Sequence, residues 1–196
     1  MEYNSEKREI ISGRMLSKLD KFIIDFTKIL EDYSDYVIIS GYVAILLGRS
    51  RSTEDIDIFI PEIPFEIFSA FFKDISRKFE CMNSSIPEEA FSLLKEHIAL
   101  RFFYPGFPVP NVEIKFVKTD LDKFAFDNKV KVLLNGGALF ISPLELQIAF
   151  KLFLGSDKDF EDAKHLYSLF INKLDKEKLN FFINKLKVSE VFERIK

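Results

Sequence analysis

"SGYVAILLGRSRSTEDIDIFI", Ser40 to Ile60, is the stretch on which the reading of this chain turns. It opens on a small residue and a glycine, crosses an apolar segment, passes Arg49 and Arg51, and ends in two aspartates one residue apart. "EDIDIFI" has the apolar, β-branched content of a buried strand. Side chains alternate across a strand, so Asp55 and Asp57 point to the same side. Charge is costly to bury unpaired. The pair therefore either lies exposed at a strand end or holds something positive.

Two neighbouring carboxylates repel unless a proton or cation lies between them. Mg²⁺ takes hard oxygen ligands and keeps waters and substrate phosphates in its shell. Asp55 and Asp57 thus read as a metal platform. A carboxylate from a neighbouring strand would complete it, and Glu113 in "NVEIKFV" is the candidate. Lys115 lies two residues further on, hence on the same face, so Glu113 reads equally well as one half of a salt bridge. Upstream, Ser40 and Gly41 fall at a strand-to-helix junction. Free N–H groups at a helix start bind phosphate, and glycine permits close approach. The order Ser40-Gly41, helix, Arg51, Asp55, Asp57 therefore places a phosphate site beside a metal site.

Around this stretch the chain has 196 residues, 47% hydrophobic and 30% charged, which is an ordinary globular balance. Its 23 phenylalanines and lack of tryptophan indicate a Phe-filled core. No run is long enough to span a membrane, and "MEYNSEKRE" does not read as a signal peptide. Cys81 is the single cysteine, which excludes an intrachain disulfide and fits a reducing, cytoplasmic setting. A net charge of −3 argues against a general nucleic-acid coat protein.

Apolar spacing predicts an amphipathic helix from about Arg14 to Tyr33, a strand in "DYVIIS", and a helix from Gly41 to Gly48. Further helices are expected in "PFEIFSAFFKDISRKF" and "PEEAFSLLKE", and strands in "HIALRFFY" and "VEIKFV", separated by the loop "PGFPVPN". "KVKVLL" and "ALFIS" read as a hairpin around "NGG". "SPLE" (residues 142–145) reads as a capping box, and everything beyond it as helical. The expected organisation is an α/β core over residues 1–140 and a helical region, 141–196, packed on it.

The stretch resembles the nucleotidyltransferase superfamily with a DNA polymerase β-like fold, and within it the AbiEii-type nucleotidyltransferase toxins and related minimal nucleotidyltransferases. The shared signature is a small-residue–glycine turn, an apolar helix, a glycine, then R-x-T-x-D-[IV]-D. Here these are Ser40-Gly41, "YVAILL", Gly48, and Arg51-Ser52-Thr53-Glu54-Asp55-Ile56-Asp57. The likeness continues in a helical lysine, Lys151, and a later helix start with Lys158, Asp159 and Asp162. Two positions depart from the pattern: Ser40 stands where glycine is commoner, and Glu113 where aspartate is commoner.

The resemblance implies an α+β fold, a mixed sheet with flanking helices, followed by a C-terminal helical bundle. It implies Mg²⁺-dependent transfer of NMP from an NTP to an acceptor hydroxyl, with Mn²⁺ as an alternative metal. Asp55, Asp57 and Glu113 would hold two ions. Ser40, Gly41, Arg51, Lys151, Asp159 and Asp162 would bind the nucleotide, with Lys151 also counted among the catalytic residues. The acceptor would be tRNA or a small-molecule hydroxyl, and the toxin likeness implies a cognate antitoxin. An inert module that binds nucleotide or a protein partner stands as the alternative. Two residues keep a second reading at this point. Lys151 interrupts an apolar helix and either snorkels outward or faces a cleft, and Asp159 closes a capping box with Ser156.

Overall fold

The computed structural model describes Met1–Lys196. Nine strands form one mixed sheet: β1 (Glu2–Asn4), β2 (Glu9–Ile11), β3 (Val37–Ile38), β4 (Asp55–Ile60), β5 (Glu80–Cys81), β6 (Leu100–Tyr104), β7 (Phe107–Phe116), β8 (Val130–Leu134) and β9 (Gly137–Ile141). Their order across the sheet is β1-β2-β8-β9-β3-β4-β7-β6-β5. Nine helices complete the chain: α1 (Lys18–Leu30), α2 (Gly41–Leu46), α3 (Phe65–Ile75), α4 (Pro87–Lys95), α5 (Asp120–Asp127), α6 (Leu144–Leu154), α7 (Asp157–Phe170), α8 (Lys176–Lys185) and α9 (Ser189–Phe192).

At the centre, β4 runs antiparallel to β3 and parallel to β7. Alternation sends Ile56, Ile58 and Ile60 of β4 to one face, with Val112 and Ile114 of β7, all fully buried. Phenylalanines fill that side. Phe26 packs edge-on to Phe71 and Phe79 and lies beside Phe102. Truncating such a ring costs about 3–5 kcal/mol. The opposite face carries Asp55, Asp57, Asn111, Glu113 and Lys115.

A buried polar clamp fixes where the site begins. Ser17 caps α1 and forms a reciprocal box with Asp20, so the helix starts at Lys18 rather than Arg14. Asp20 is fully buried and accepts hydrogen bonds from the Tyr42 hydroxyl and from Arg14, both at 2.6 Å. Arg14 Nε also donates to the carbonyl of Leu46, at the end of α2. Burial alone would raise the Asp20 pKa, but these donors outweigh it and hold the carboxyl below the usual carboxylate range. Both ends of the short α2 are thereby tied to α1.

Three expectations are corrected. The "PGFPVPN" segment is not a loop. Only Pro105 and Gly106 turn, with Gly106 at φ +78°, and β7 already runs from Phe107. Pro108 and Pro110 are tolerated because β4 pairs with β7 only from Asn111 onward, so on that edge no ladder donor is missing. The capping box at residues 142–145 does not form. The helix begins one residue later than that reading requires, with Pro143 at the cap. Ser142 instead gives its N–H to Ile38 and its hydroxyl to Gln147, while Glu145 accepts from the Asp175 N–H. Finally, β1, β2, β5 and α5 add to the elements read from the pattern. Residues 2–4 pair with residues 9–11 in an edge ribbon whose second strand runs parallel to β8.

Candidate active site

β3 leads into α2 through Ser40, which adopts φ +63°, ψ −137°. Non-glycine residues rarely hold such a conformation, and the cost is about 1–3 kcal/mol. Gln147 of α6 donates its Nε2 to the Ser40 carbonyl at 2.7 Å, and Ser142 in turn bonds Gln147. The strained turn is thus held from the helical side. At Gly41 a Cβ would fall 2.1 Å from Arg51 Nη2, so glycine is what lets this guanidinium lie against the first turn of α2.

The predicted acids fall into one row. β4 and β7 are paired so that Asp57 sits opposite Glu113, and Glu113 sits opposite Arg101 of β6. Asp55 is at the exposed end, opposite Asn111, with the Thr53 hydroxyl 3.2 Å from its Oδ1. The row is already paired with cations. Lys115 Nζ lies 2.9 Å from Asp57 Oδ1 and 3.2 Å from Glu113 Oε2. Arg101 Nε donates to Glu113 Oε1 at 2.7 Å. Burial pushes the Asp57 pKa up, and the nearby negative charges of Asp55 and Glu113 add to that. Lys115 only partly offsets them. Burial would lower the Lys115 pKa, but Asp57 and Glu113 raise it above the ordinary lysine value.

Asp55 and Asp57 fit a single hard cation: two carboxylates on one face at an open sheet surface, Asp55 bound only by a hydroxyl. Glu113 does not fit as a third ligand, because both of its oxygens are engaged by cations. No three His, Cys, Asp or Glu side chains come together closely enough to share an ion.

A second network gathers the other predicted residues. Asp162 of α7 is fully buried and pairs with Arg49, with Arg51 Nη2 at 3.1 Å and with Lys151 Nζ at 3.2 Å. Lys151 also reaches Asp159 Oδ1 at 2.5 Å. Lys151 is 3% exposed, so its ammonium points inward to α7 and does not snorkel to solvent. Ser156 caps α7 by accepting from the Asp159 N–H, but the expected box does not close, because the Asp159 carboxylate takes the Ser156 hydroxyl and not its N–H. Burial would raise the Asp159 pKa, but Lys151 and Ser156 outweigh it and bring it below the ordinary value. Three cations meet two carboxylates here. Arg51 and Ser40–Gly41 lie together, whereas Lys151, Asp159 and Asp162 reach them through the guanidinium of Arg51.

Beside Asp57 and Lys115 of the sheet network opens a cavity of about 320 Å³. Ser40, Asp57, Phe59 and Lys115 form one side, and Leu121 of α5 with Gln147 and Phe150 of α6 the other. This is the low end of small-molecule site volumes. The pattern reading missed Arg49, Arg101, Leu121 and Gln147. α5 was detectable, because Thr119 and Asp122 form a capping box. Arg101 was not detectable, because only the β6–β7 register brings it to Glu113.

No protein-family profile and no curated protein sequence matches the chain. Among solved structures, the chain is similar to the antibiotic-resistance factor ANT(2'')-Ia, with a TM-score of 0.55 and 12% identity over 88% of this chain and 92% of that one. It is also similar to an antigenic nucleotidyltransferase-like protein from Paracoccidioides brasiliensis, with a TM-score of 0.52 and 17% identity over 88% of each chain. With a mixed sheet flanked by helices and matched nearly end to end, this chain has the nucleotidyltransferase fold.

Proposed function

We propose that the chain is a nucleotidyltransferase that moves NMP from an NTP to an acceptor hydroxyl. The observation that carries this reading is that Asp57, on the open face of β4 with Asp55, lines one cavity with Ser40, whose turn leads into the Gly41 on which Arg51 lies. Asp55 and Asp57 would hold Mg²⁺, or Mn²⁺ in its place, which supplies Lewis-acid charge to phosphate oxygens. The apolar wall of Phe59, Leu121 and Phe150 suits a base or ribose face. Arg51 offers a planar fork to phosphate oxygens, and Lys151 adds a buried positive charge behind it. Asp159 and Asp162 orient those two cations rather than touch the nucleotide. Positioning and electrostatics of this kind supply most of the rate in phosphoryl-type transfer.

The narrower form of the proposal rests on the R-S-T-E-D-I-D signature. It makes the acceptor tRNA, the protein a cytoplasmic toxin, and an antitoxin its partner. The ANT(2'')-Ia likeness favours a small-molecule hydroxyl as acceptor instead. A second reading, a nucleotide-binding module without turnover, is favoured by one observation: Glu113 is bound on both oxygens.

The test incubates the protein with each labelled NTP and Mg²⁺, with total tRNA in one arm and polyhydroxylated antibiotics in the other. Label is expected to move to one acceptor class and to stop in the Asp55→Asn/Asp57→Asn variant. Transfer that survives this double substitution sinks the proposal. Mg²⁺-dependent NTP binding without transfer supports the inert module.

A further inference from the structure

Resting on that reading of the site, we propose that Lys115 serves as an internal cation in the place between Asp57 and Glu113, so that the site takes one divalent ion, on Asp55 and Asp57, instead of two. The backbone itself builds this arrangement. Asp57 and Glu113 are direct partners across the parallel β4–β7 pair, and Phe59 and Lys115 are the next same-face pair along it. Paired strands lie about 4.8 Å apart, so a long side chain at position 115 can reach both carboxylates. The Lys115 ammonium does so, at 2.9 Å and 3.2 Å.

An ion bridging Asp57 and Glu113 would sit about 2.0–2.1 Å from their oxygens. That position and the ammonium's exclude each other. Arg101 holds the other oxygen of Glu113, Oε1, at 2.7 Å, so Oε2 is the one oxygen Glu113 can offer an ion, and Lys115 occupies it. Arg101 on the neighbouring strand and Lys115 on its own strand therefore satisfy Glu113 as a salt-bridge acid. Its extra methylene relative to aspartate suits a carboxylate that must reach a guanidinium on one strand and an ammonium on its own. Lys115 lines the cavity together with Asp57 and Ser40, so its charge is presented to whatever the cavity holds.

Metal stoichiometry tests this independently of turnover. The full chain is saturated with non-transferable analogues of the four NTPs, and bound Mn²⁺ per chain is counted by electron paramagnetic resonance and calorimetry. Wild type is expected to bind one ion. Lys115→Met is expected to bind two, Lys115→Arg one, and Glu113→Gln one with Mn²⁺ affinity within about threefold of wild type. Two ions in wild type, one ion in Lys115→Met, or a tenfold weakening by Glu113→Gln overturns the inference. If Lys115→Met does not fold, Glu113→Gln still decides. Loss of the proposed transfer activity with these counts intact would defeat the functional reading and leave the role of Lys115 standing.

Discussion

Two ion networks border the Ser40–Gly41 turn, and they are built from the same residue types to different ends. On the sheet, Asp57 and Glu113, 18% and 9% exposed, pair with cations that reach solvent, Lys115 one-third exposed and Arg101 about half. Among the helices, Asp162 is at 0% and Lys151 at 3%, and the network joins the segment after α2 to α6 and α7. Partly exposed pairs contribute little to stability and rearrange cheaply. Buried ones are expensive to break, because removing one partner strands the other's charge. Burial, not composition, separates charges available to a ligand from charges committed to the fold.

The largest effect that tests this contrast is Asp162→Ala. It removes the one carboxylate that Arg49, Arg51 and Lys151 share, leaving only Asp159 to face a buried ammonium. A loss of about 3–5 kcal/mol in unfolding free energy is expected, read from urea titration. Glu113→Gln, made in the open network, is expected to cost less than about 1 kcal/mol in the same measurement. Equal costs would erase the distinction.

Activity reverses the ranking. Asp55→Asn is expected to lower transfer about 10²–10³-fold, on the order of 3–4 kcal/mol in the barrier. Its unfolding midpoint should stay within about 1 kcal/mol of wild type, because Asp55 is exposed and paired only with Thr53. A coupled fall in both quantities would make Asp55 a structural residue.

The two networks also carry opposite pH signs. The Asp159 carboxyl sits below its ordinary pKa in the fold. Its contribution is complete above the unfolded value of about 4 and is lost as pH falls through the lowered one. The Asp57 carboxyl sits above its ordinary value. Its contribution is complete below about 4 and is lost as pH rises through the raised value. In metal-free protein, Asp159→Asn should therefore be less stable than wild type at neutral pH and approach it in acid. Asp57→Asn should be no less stable than wild type at pH 7, and any advantage should vanish towards pH 3. Thermal midpoints between pH 2.5 and 7 measure both. Parallel curves for the two variants would contradict the opposite shifts.

The same contrast explains what the sequence disclosed. The Ser40–Ile60 stretch was legible because its period changes from 3.6 to 2 within a few residues and its two aspartates fall in phase on one strand face. The helices beyond residue 144 were legible for a similar reason. The pairing partners of the acids were not, because Arg101 and Glu113 meet only through strand register, and register is a property of two distant segments. Lys115 was visible as a neighbour of Glu113, but its contact with Asp57 required the β4–β7 alignment. The edge strands β1 and β2 are three residues each, too short for periodicity to register. The proline-rich start of β7 was misread because proline excludes a strand only where a ladder donor is needed, and that need depends on how far β4 extends.

The smallest effect concerns Ser40, which shares the cavity with Asp57 and Lys115 and precedes the glycine on which Arg51 lies. Its φ of +63° with ψ −137° is a conformation that glycine adopts freely and serine does not. Its hydroxyl makes no capping bond to α2, so Ser40→Gly forfeits no side-chain contact there. Relief of strain is worth about 1–3 kcal/mol, and the greater freedom of glycine in the unfolded chain takes back about 0.5–1 kcal/mol. A net gain of about 1 kcal/mol is expected from urea titration. The Gln147 bond to the residue-40 carbonyl is unaffected by the change, since it uses the backbone. Transfer then separates two meanings of the serine. If activity holds while stability rises, the strain is an inherited cost at a turn that needs only a small residue. If activity falls tenfold or more while stability rises, the hydroxyl contacts the nucleotide, and the turn belongs with the open network rather than with the helices that brace it.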